Sequence, residues 1–105
     1  MIPTNGFYEF KGEKGHKQKF LFTEPNQEMT FIAGICKYYP DCEDGIFPYR
    51  FTMITTVPSK SFSEYHHREP VLIRKEECEQ WLKATDIDTF LRRIPFELNI
   101  IPVSA

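Results

Sequence analysis

The sequence predicts a single α+β domain in which short strands precede two short helices. Most of the first seventy or so positions combine aromatic and β-branched residues in short runs, which is typical of strands. Two segments with the spacing of amphipathic helices follow, at 76–83 and 87–94. Eight Pro residues are spread along the chain and separate short elements, which argues against a long helical bundle. Strands first and helices late are typical of the α+β class.

The strand predictions follow the chain in order. Residues 2–10 read as strand with a bend at Asn5-Gly6, and the charged, glycine-containing residues 11–16 read as a loop. Residues 19–23 and 29–38 are rich in Phe and Ile, and the turn-forming stretch 24–28 between them predicts that they pair as a hairpin. Further extended segments are predicted at 49–57, 71–73 and 98–103.

Two helices are predicted near the end. The first has its apolar face on Cys78, Trp81 and Leu82. In the second, Thr85 and Asp88 have the spacing of a capping box, and Pro95 ends the helix. The apolar positions behind that cap fall at helical spacing, on Ile87, Phe90, Leu91 and Ile94.

Composition narrows the class of protein. The chain of 105 residues is 41% hydrophobic and 27% charged, as in an ordinary globular domain, and its 15% aromatic share favours a sheet-rich core or an aromatic groove. Three cysteines are an odd number, which favours a reducing compartment. The apolar runs are much shorter than the roughly 18 residues of a membrane span. We therefore expect a cytoplasmic protein, nucleoid-associated if it binds DNA, with no membrane partner.

The net charge of −2 gives no indication of nucleic-acid binding, but the charges are unevenly distributed. A basic cluster occupies one short stretch and consists of Lys11, Lys14, His16, Lys17 and Lys19. Such a cluster is either one side of a DNA groove or a solvated hairpin tip, and charge alone leaves both readings open.

Two segments hold residues suited to chemistry. Glu9 lies in an aromatic strand and shares a face with Phe7, so it either pairs with a cation, is perturbed by burial, or is an edge-strand carboxylate in water. The segment 65–70, YHHREP, combines two imidazoles, a guanidinium and a carboxylate. It can offer an acid–base group and an anion clamp together, or it is a polar surface turn.

Metal and serine chemistry are weaker alternatives. Cys36 and Cys42 do not have the spacing of a zinc knuckle, and the adjacent His66 and His67 would point to opposite faces of a strand. Several serines precede His66, but no Gly-x-Ser-x-Gly turn accompanies them. We expect no metal site and no cofactor.

Six pieces of the sequence, in order, resemble the SRAP (SOS-response-associated peptidase) family. Residues 3–10, PTNGFYEF, resemble its P-A-x-G-F-Y-E-W strand, and residues 31–35, FIAGI, resemble its F-A-G-L strand. FTMITT at 51–56 resembles F-x-I-x-T-T, and HHREPVLI at 66–73 resembles H-x-R-M-P-V-I-L. Residues 81–82 match a W-L pair, and 102–104 match the closing P-V-S.

The resemblance implies a fold and an activity. The fold is α+β, with a curved, barrel-like, mostly antiparallel sheet around a cleft for single-stranded DNA. The activity is capture of abasic sites: an amino-terminal cysteine forms an imine with the aldehyde of the ring-opened sugar and then closes a thiazolidine crosslink. The family name also implies peptidase ancestry, best supported as self-processing. By the same resemblance, Glu9 and His66 are the catalytic residues, and Thr55, Arg68 and Phe10 contact DNA.

The chain also departs from the family pattern. The amino-terminal cysteine and an Asn-bearing segment of the family's first half are not in this sequence, and Glu69 replaces a usual Met or Arg. We therefore expect residues 1–105 to be the C-terminal part of an SRAP-like domain, with a missing N-terminal half or a second copy as a partner. Ile2, Phe7, Ile54 and Val103 are expected to be exposed where that half would pack. The alternative is a non-catalytic domain that binds single-stranded DNA or another partner.

Overall fold

The structure, a computed structural model, describes residues 1–41, 43 and 45–103, so Cys42 and Ser104 lie outside the described part. The α+β prediction is confirmed. The strands are β1 (Ile2–Thr4), β2 (Phe7–Lys11), β3 (Gln18–Thr23), β4 (Thr30–Ile32), β5 (Gly34–Tyr38), β6 (Tyr49–Met53), β7 (Thr55–Thr56), β8 (Glu69–Pro70), β9 (Leu72–Ile73) and β10 (Asn99–Val103). The helices are α1 (Cys78–Lys83) and α2 (Asp88–Arg92), with 3-10 turns at Phe62–Glu64 and Lys75–Glu77. No helix in the described residues is long and apolar enough to cross a membrane.

The strands pair antiparallel in four small sheets across the described residues. Two sheets have three strands, in the orders β1-β4-β9 and β10-β3-β2, and two are the pairs β5-β6 and β7-β8. The mostly antiparallel prediction is therefore confirmed, but these sheets do not close into a barrel within the described part of the chain.

Three of the sheets meet at a three-way junction of backbone hydrogen bonds. Ala33, Ile54 and Val71 each interrupt a run of strand residues, between β4 and β5, β6 and β7, and β8 and β9 respectively. Ala33 N–H donates to Val71 O (2.8 Å), Val71 N–H to Ile54 O (2.9 Å), and Ile54 N–H to Ala33 O (3.0 Å). Each interruption therefore keeps its backbone groups paired while the chain turns from one sheet into the next.

The predicted hairpin between residues 19–23 and 29–38 is wrong, because β3 and β4 belong to different sheets. β3 pairs with β2 on one side and β10 on the other, whereas β4 pairs with β1 and β9. In the turn between them, Asn26 has a φ of 62° and the buried Glu24 accepts a hydrogen bond from Thr30 Oγ1 at 2.9 Å. Asn tolerates this left-handed conformation better than most residues. The turn leads the chain from the sheet of β3 into the sheet of β4, so the two strands do not form a hairpin.

The core lies where α1 and α2 cover β4, β9 and the junction. Its buried members are Ala33, Val71, Ile73, Trp81 and Phe90. Trp81 and Phe90 meet edge to face at 5.2 Å between ring centroids, an arrangement that aromatic pairs favour. The predicted helix faces are thus confirmed at Trp81 and Phe90, whereas Leu82 and Ile94 are exposed.

The second helix starts differently from its prediction. Asp86 Oδ1, and not Thr85, accepts a hydrogen bond from the backbone N–H of Asp88 at 2.9 Å, so the expected capping box is wrong. A helix N-terminus needs an oxygen acceptor for its orphan N–H groups, and Asp at this position supplies one.

The four apolar residues expected to be exposed are half-buried instead. Ile2, Phe7, Ile54 and Val103 each keep part of their surface covered by described residues. The exposed apolar surface lies mainly on the β5-β6 hairpin, where Phe51 is 71% exposed.

Candidate functional site

The strand β2 has two unlike faces, and its inner face leads to the candidate site. In the register of β2 with β3, Phe7 lies opposite Phe22 and Glu9 lies opposite Phe20. Residues directly opposite each other point to the same side of a sheet, so these four side chains share one face. The rings of Phe7 and Phe22 stack at 5.4 Å, and this aromatic sequence pattern is what fixes the strand register.

The segment that precedes His66 packs onto this face. Phe62, in the first 3-10 turn, lies 5.0 Å from the Phe22 ring, and Tyr65 lies 4.9 Å from the Phe20 ring and 5.2 Å from the Phe22 ring. These contacts hold residues 62–65 against the sheet. His66 follows directly after this segment, which lies on the face that carries Glu9 and Phe20.

Glu9 is half-buried between an aromatic and a basic neighbour on that face. Lys11, two residues further along β2, places its ammonium 3.6 Å from the Glu64 carboxylate and 5.1 Å from the centre of the Tyr65 ring. Both contacts join β2 to the segment before His66. The exposed pair contributes little free energy by itself, but it marks the same two pieces of chain as neighbours.

The His66 ring is exposed and is fixed through its Nδ1 atom. Nδ1 lies 3.0 Å from the backbone nitrogen of Arg68 and 2.9 Å from the Arg68 carbonyl oxygen. The neutral ring can accept from the N–H, or Nδ1–H can donate to the carbonyl, so Nδ1 has a partner in either tautomer and in the protonated ring. Nε2 is then the atom that remains for proton transfer. The His67 ring stacks on the His66 ring at 4.4 Å.

Arg68 is oriented by Thr55 across the β7-β8 pair. Its Nε donates to Thr55 Oγ1 at 3.1 Å, and its Nη2 donates to the Thr55 carbonyl oxygen at 2.6 Å. Thr55 lies opposite Pro70 in the pairing, which places it beside Arg68. A guanidinium held by two of its nitrogens presents its remaining donors in a fixed direction, as anion binding requires.

Phe10 lies on the outer face of β2, away from Glu9. Its neighbours on that face are Tyr8 and, directly opposite, Lys19, whose ammonium lies 4.0 Å from the centre of the Tyr8 ring. Phe10 and Tyr8 are about half exposed, at 51% and 50%. The structure therefore separates Phe10 from the Glu9 face by the thickness of the strand.

Glu69 is a buried carboxyl group whose environment sequence analysis did not predict. Its side chain is 2% exposed and accepts hydrogen bonds from the backbone N–H of Ser59 at 3.4 Å and from Ser59 Oγ at 3.3 Å. Burial raises the pKa of Glu69, the two Ser59 hydrogen bonds oppose the shift, and the charge of Glu97 adds to it. The only available signal was strand alternation, which turns Glu69 inward when Arg68 faces outward.

The predicted site residues thus fall into three groups. His66, Arg68 and Thr55 form one hydrogen-bonded unit, and the face of Glu9 is joined to that unit through Phe20 and Tyr65. Phe10 is on the other face of its strand. Within the described residues, no group of three or more His, Cys, Asp or Glu side chains is arranged to hold a metal ion.

The middle of the basic cluster lies at the tip of the β2-β3 hairpin, and its first and last members, Lys11 and Lys19, lie in the two strands. The loop 12–17 between these strands is exposed and contains Gly12 and Gly15, both with positive φ. Glycine adopts that conformation without a steric penalty, which allows the loop to turn among charged residues. The cluster therefore continues the strand that carries Glu9 and extends it into solvent.

Comparison with protein families gives a match over the whole chain. The family model of SOS response associated peptidase (SRAP) matches residues 1–105.

Two curated relatives are similar in sequence. The abasic site processing protein YobE of Bacillus subtilis (strain 168) is 27% identical over 89 residues, which are 84% of this chain and 40% of that protein. The abasic site processing protein HMCES of Gallus gallus is 25% identical over 108 aligned residues, with 85% of this chain and 32% of that protein covered. The chain spans less than half the length of either relative.

Two solved structures share the fold. A protein from Bordetella bronchiseptica has a TM-score of 0.81 at 26% identity, covering 99% of this chain and 54% of that one. A protein from Bacteroides thetaiotaomicron has a TM-score of 0.80 at 24% identity, covering 98% of this chain and 48% of that one.

Proposed function

This chain belongs to the SRAP (SOS response associated peptidase) family, and we propose that it supplies part of a site that recognises abasic sites in single-stranded DNA. The observation that carries the proposal is the unit formed by His66, Arg68 and Thr55, next to the Glu9 face of β2. It combines a group that can transfer protons at the aldehyde of an abasic sugar, His66, with an oriented guanidinium that can bind a neighbouring phosphate, that of Arg68. The names of the two curated relatives support the substrate.

An abasic sugar in its open form carries an aldehyde, and the proposed chemistry is attack on that carbon by an amine. The amine adds to the carbonyl, a proton moves to the oxygen, and water leaves as the imine forms. A neighbouring thiol then adds to the imine carbon and closes a thiazolidine ring. In the family pattern the amine and thiol belong to an amino-terminal cysteine. Cys36, Cys42 and Cys78 are all internal to the sequence and offer no α-amine, so residues 1–105 do not themselves provide that group.

The proposed catalytic residues are Glu9 and His66. With Nδ1–H donated to the Arg68 carbonyl, His66 keeps a lone pair on Nε2, which can take up a proton from the attacking amine and return it to the leaving oxygen. Glu9 is a second acceptor on the adjacent sheet face. The proposal requires both side chains to reach one lesion sugar. A structure of the DNA complex in which their ends lie more than about 10–12 Å apart on different faces would refute it.

The proposed DNA contacts come from the unit of Arg68 and Thr55, from the outer face of β2 and from the tip of the β2-β3 hairpin. Arg68, held by Thr55, would bind a phosphate next to the lesion, and Thr55 would lie near the sugar. Phe10 would stack on a base further along the strand, because it lies on the other face from Glu9. The exposed lysines of the β2-β3 tip would neutralise neighbouring phosphates.

The test is a binding titration with two short, fluorescently labelled single-stranded oligonucleotides that differ only by one abasic site. We expect tighter binding of the abasic oligonucleotide. Arg68→Ala should weaken binding of both oligonucleotides, because both carry the phosphate that it contacts, while His16→Ala, on the exposed loop, keeps the preference. The logarithm of the association constant should fall linearly with the logarithm of the salt concentration, with a slope of about −0.7 per phosphate contacted. Equal affinity for the two oligonucleotides would support the non-catalytic DNA-binding alternative instead.

The same oligonucleotide tests the covalent step. Because no cysteine of this chain has a free α-amine, we expect no adduct that survives denaturing electrophoresis with the chain alone. A stable shifted band would show that another nucleophile, such as a lysine, is used.

A further inference from the structure

One face of the β5-β6 hairpin is continuously apolar and exposed. In its register Cys36 lies opposite Phe51, Tyr38 opposite Tyr49, and Met53 opposite Gly34, so these side chains share a face. Phe51 is 71% exposed and Tyr38, Met53 and Tyr49 are each close to half exposed.

The charges of the hairpin lie on its opposite face. Lys37 and Arg50 are cross-strand partners there, and both cations lie over the ring of Tyr39, at 5.1 Å and 4.8 Å. The apolar face itself carries no charged residue. A contiguous exposed apolar surface is unusual on a soluble monomer and is typical of a protein–protein contact site. The absence of charge resembles the centre of a permanent contact more than that of a transient one.

A trough continues the apolar face toward β1. It has an open volume of about 500 Å³ and is lined by Met1, Ile2, Gly34, Ile35, Cys36 and Phe51. β1 is an edge strand in the described residues, since it pairs only with β4. Pro3, the middle residue of β1, has no backbone N–H to donate to a further strand, so the trough contributes a place for a partner's side chains to pack and not a complete ladder edge.

We propose that this face and trough are the docking surface for a polypeptide equivalent to the half of the matched structures that this chain does not cover. Each of those structures reproduces 98% or more of this chain with a TM-score of at least 0.80, yet the matched part is only about half of its length. A comparable mass of polypeptide therefore accompanies the same fold in each. The proposal concerns packing alone and is independent of the abasic-site function.

The experiment measures hydrogen–deuterium exchange of this chain with and without a purified partner. The partner is the portion of the Bordetella bronchiseptica protein outside the aligned region, added in excess and also tested as a fusion to this chain. We expect exchange in residues 34–53 and 1–4 to slow by about ten-fold or more, with a one-to-one complex in light scattering. The measurements with the partner use no DNA, so their failure leaves the proposed abasic-site function untouched. A separate sample contains a short single-stranded oligonucleotide in place of the partner.

Matched variants locate the contact. Phe51→Ser and Tyr49→Ser should each weaken the complex by about ten-fold or more, as expected for central aromatic residues of a contact. Ile94→Ser, which changes an 86% exposed apolar residue elsewhere, should leave it unchanged. Circular dichroism checks that all three variants fold.

Three outcomes would overturn the proposal. Unchanged exchange of residues 34–53 in both the mixture and the fusion would show that the face is not a docking surface for this partner. Protection of the hairpin in the chain alone, with a dimer in light scattering, would assign the face to a second copy. Protection only on addition of a short single-stranded oligonucleotide would assign it to nucleic acid.

Discussion

The packed region around α1 and α2 and the β5-β6 hairpin are built from similar sequence but differ in burial. In the packed region β4 and β9 are covered by helices, and Ile73 and Phe90 are 0% and 4% exposed. The hairpin is a longer and fully paired ladder, yet Phe51 and Phe47 are 71% and 73% exposed. Strand pairing alone therefore does not create a core. A second layer is needed, and in the described residues α1 and α2 supply it to the packed region but not to the exposed face of the hairpin.

The largest expected difference between the regions is in the free energy of unfolding. Phe90→Ala removes a buried ring that packs on Trp81, so we expect a loss of about 3–5 kcal/mol. Phe51→Ala removes a ring that is mostly in water, so we expect a change within about 0.5 kcal/mol. Urea unfolding followed by Trp81 fluorescence measures both. Similar losses in the two variants would mean that the hairpin face is already covered in solution.

A second comparison lies along one continuous stretch of chain that passes from β4 into β5. Ala33 is fully buried at the three-way junction, so Ala33→Val overfills it and should cost about 1–3 kcal/mol. Cys36→Val, three residues on, enlarges an exposed side chain in the hairpin and should change stability by about 0.5 kcal/mol or less. The same unfolding assay applies, and a tolerated Ala33→Val would show that the junction is loosely packed.

In the packed region, ionisation is also coupled to folding. Arg93 Nη1 donates to Glu77 Oε2 at 2.5 Å. Burial disfavours the Glu77 carboxylate, but hydrogen bonds from the Arg93 side chain and the Arg74 backbone outweigh that effect, so the pKa of Glu77 is lowered below 4.5. Because the pKa of Glu77 is lower in the folded state than in the unfolded state, its ionised carboxylate stabilises the fold above pH 4.5. This contribution is lost as pH falls through the folded-state pKa.

Glu77→Gln should therefore cost about 1–2 kcal/mol at pH 7. The difference from the parent chain should shrink as pH falls from 4.5 through the lower folded-state pKa, because the parent's carboxylate then becomes protonated and loses its charge. Glu79→Gln, in an exposed pair with Lys83, is the matched control and should have little effect. A Glu77→Gln penalty that does not change with pH would show that packing, not charge, is responsible.

The smallest expected effect has the opposite sign. Burial raises the pKa of Glu69 in the folded state. The contribution of its protonated form to stability is therefore fully present below pH 4.5 and is lost as pH rises through the folded-state pKa. Glu69→Gln keeps acceptor and donor atoms near Ser59 without a charge. We expect it to be as stable as the parent or more so at pH 7, by less than about 1 kcal/mol, with a flatter profile between pH 4.5 and 7. A large destabilisation at pH 7 would mean that the ionised carboxylate is required.

Part of the candidate site could be predicted from local sequence. The segment 65–70 concentrates His66, Arg68 and the strand-forming Glu69-Pro70 within six residues, and Arg68 does bond to Thr55. The face shared by Phe7 and Glu9 follows from strand alternation and is confirmed by the register with β3. The contact of Tyr65 with Phe20, which joins these pieces, could not be predicted, because residues far apart in sequence leave no periodic signal.

The sequence by itself determined where strands and helices form, because hydrophobic periodicity, proline and turn residues act within a few positions. It also determined which side chains share a face of β2. Only the tertiary structure decided that β3 pairs with β10 instead of β4, that Glu69 is buried, and that the apolar β5-β6 face is exposed. These outcomes depend on which layers meet in space. That choice is a balance of long-range packing and loop-closure entropy, which no short window of sequence records.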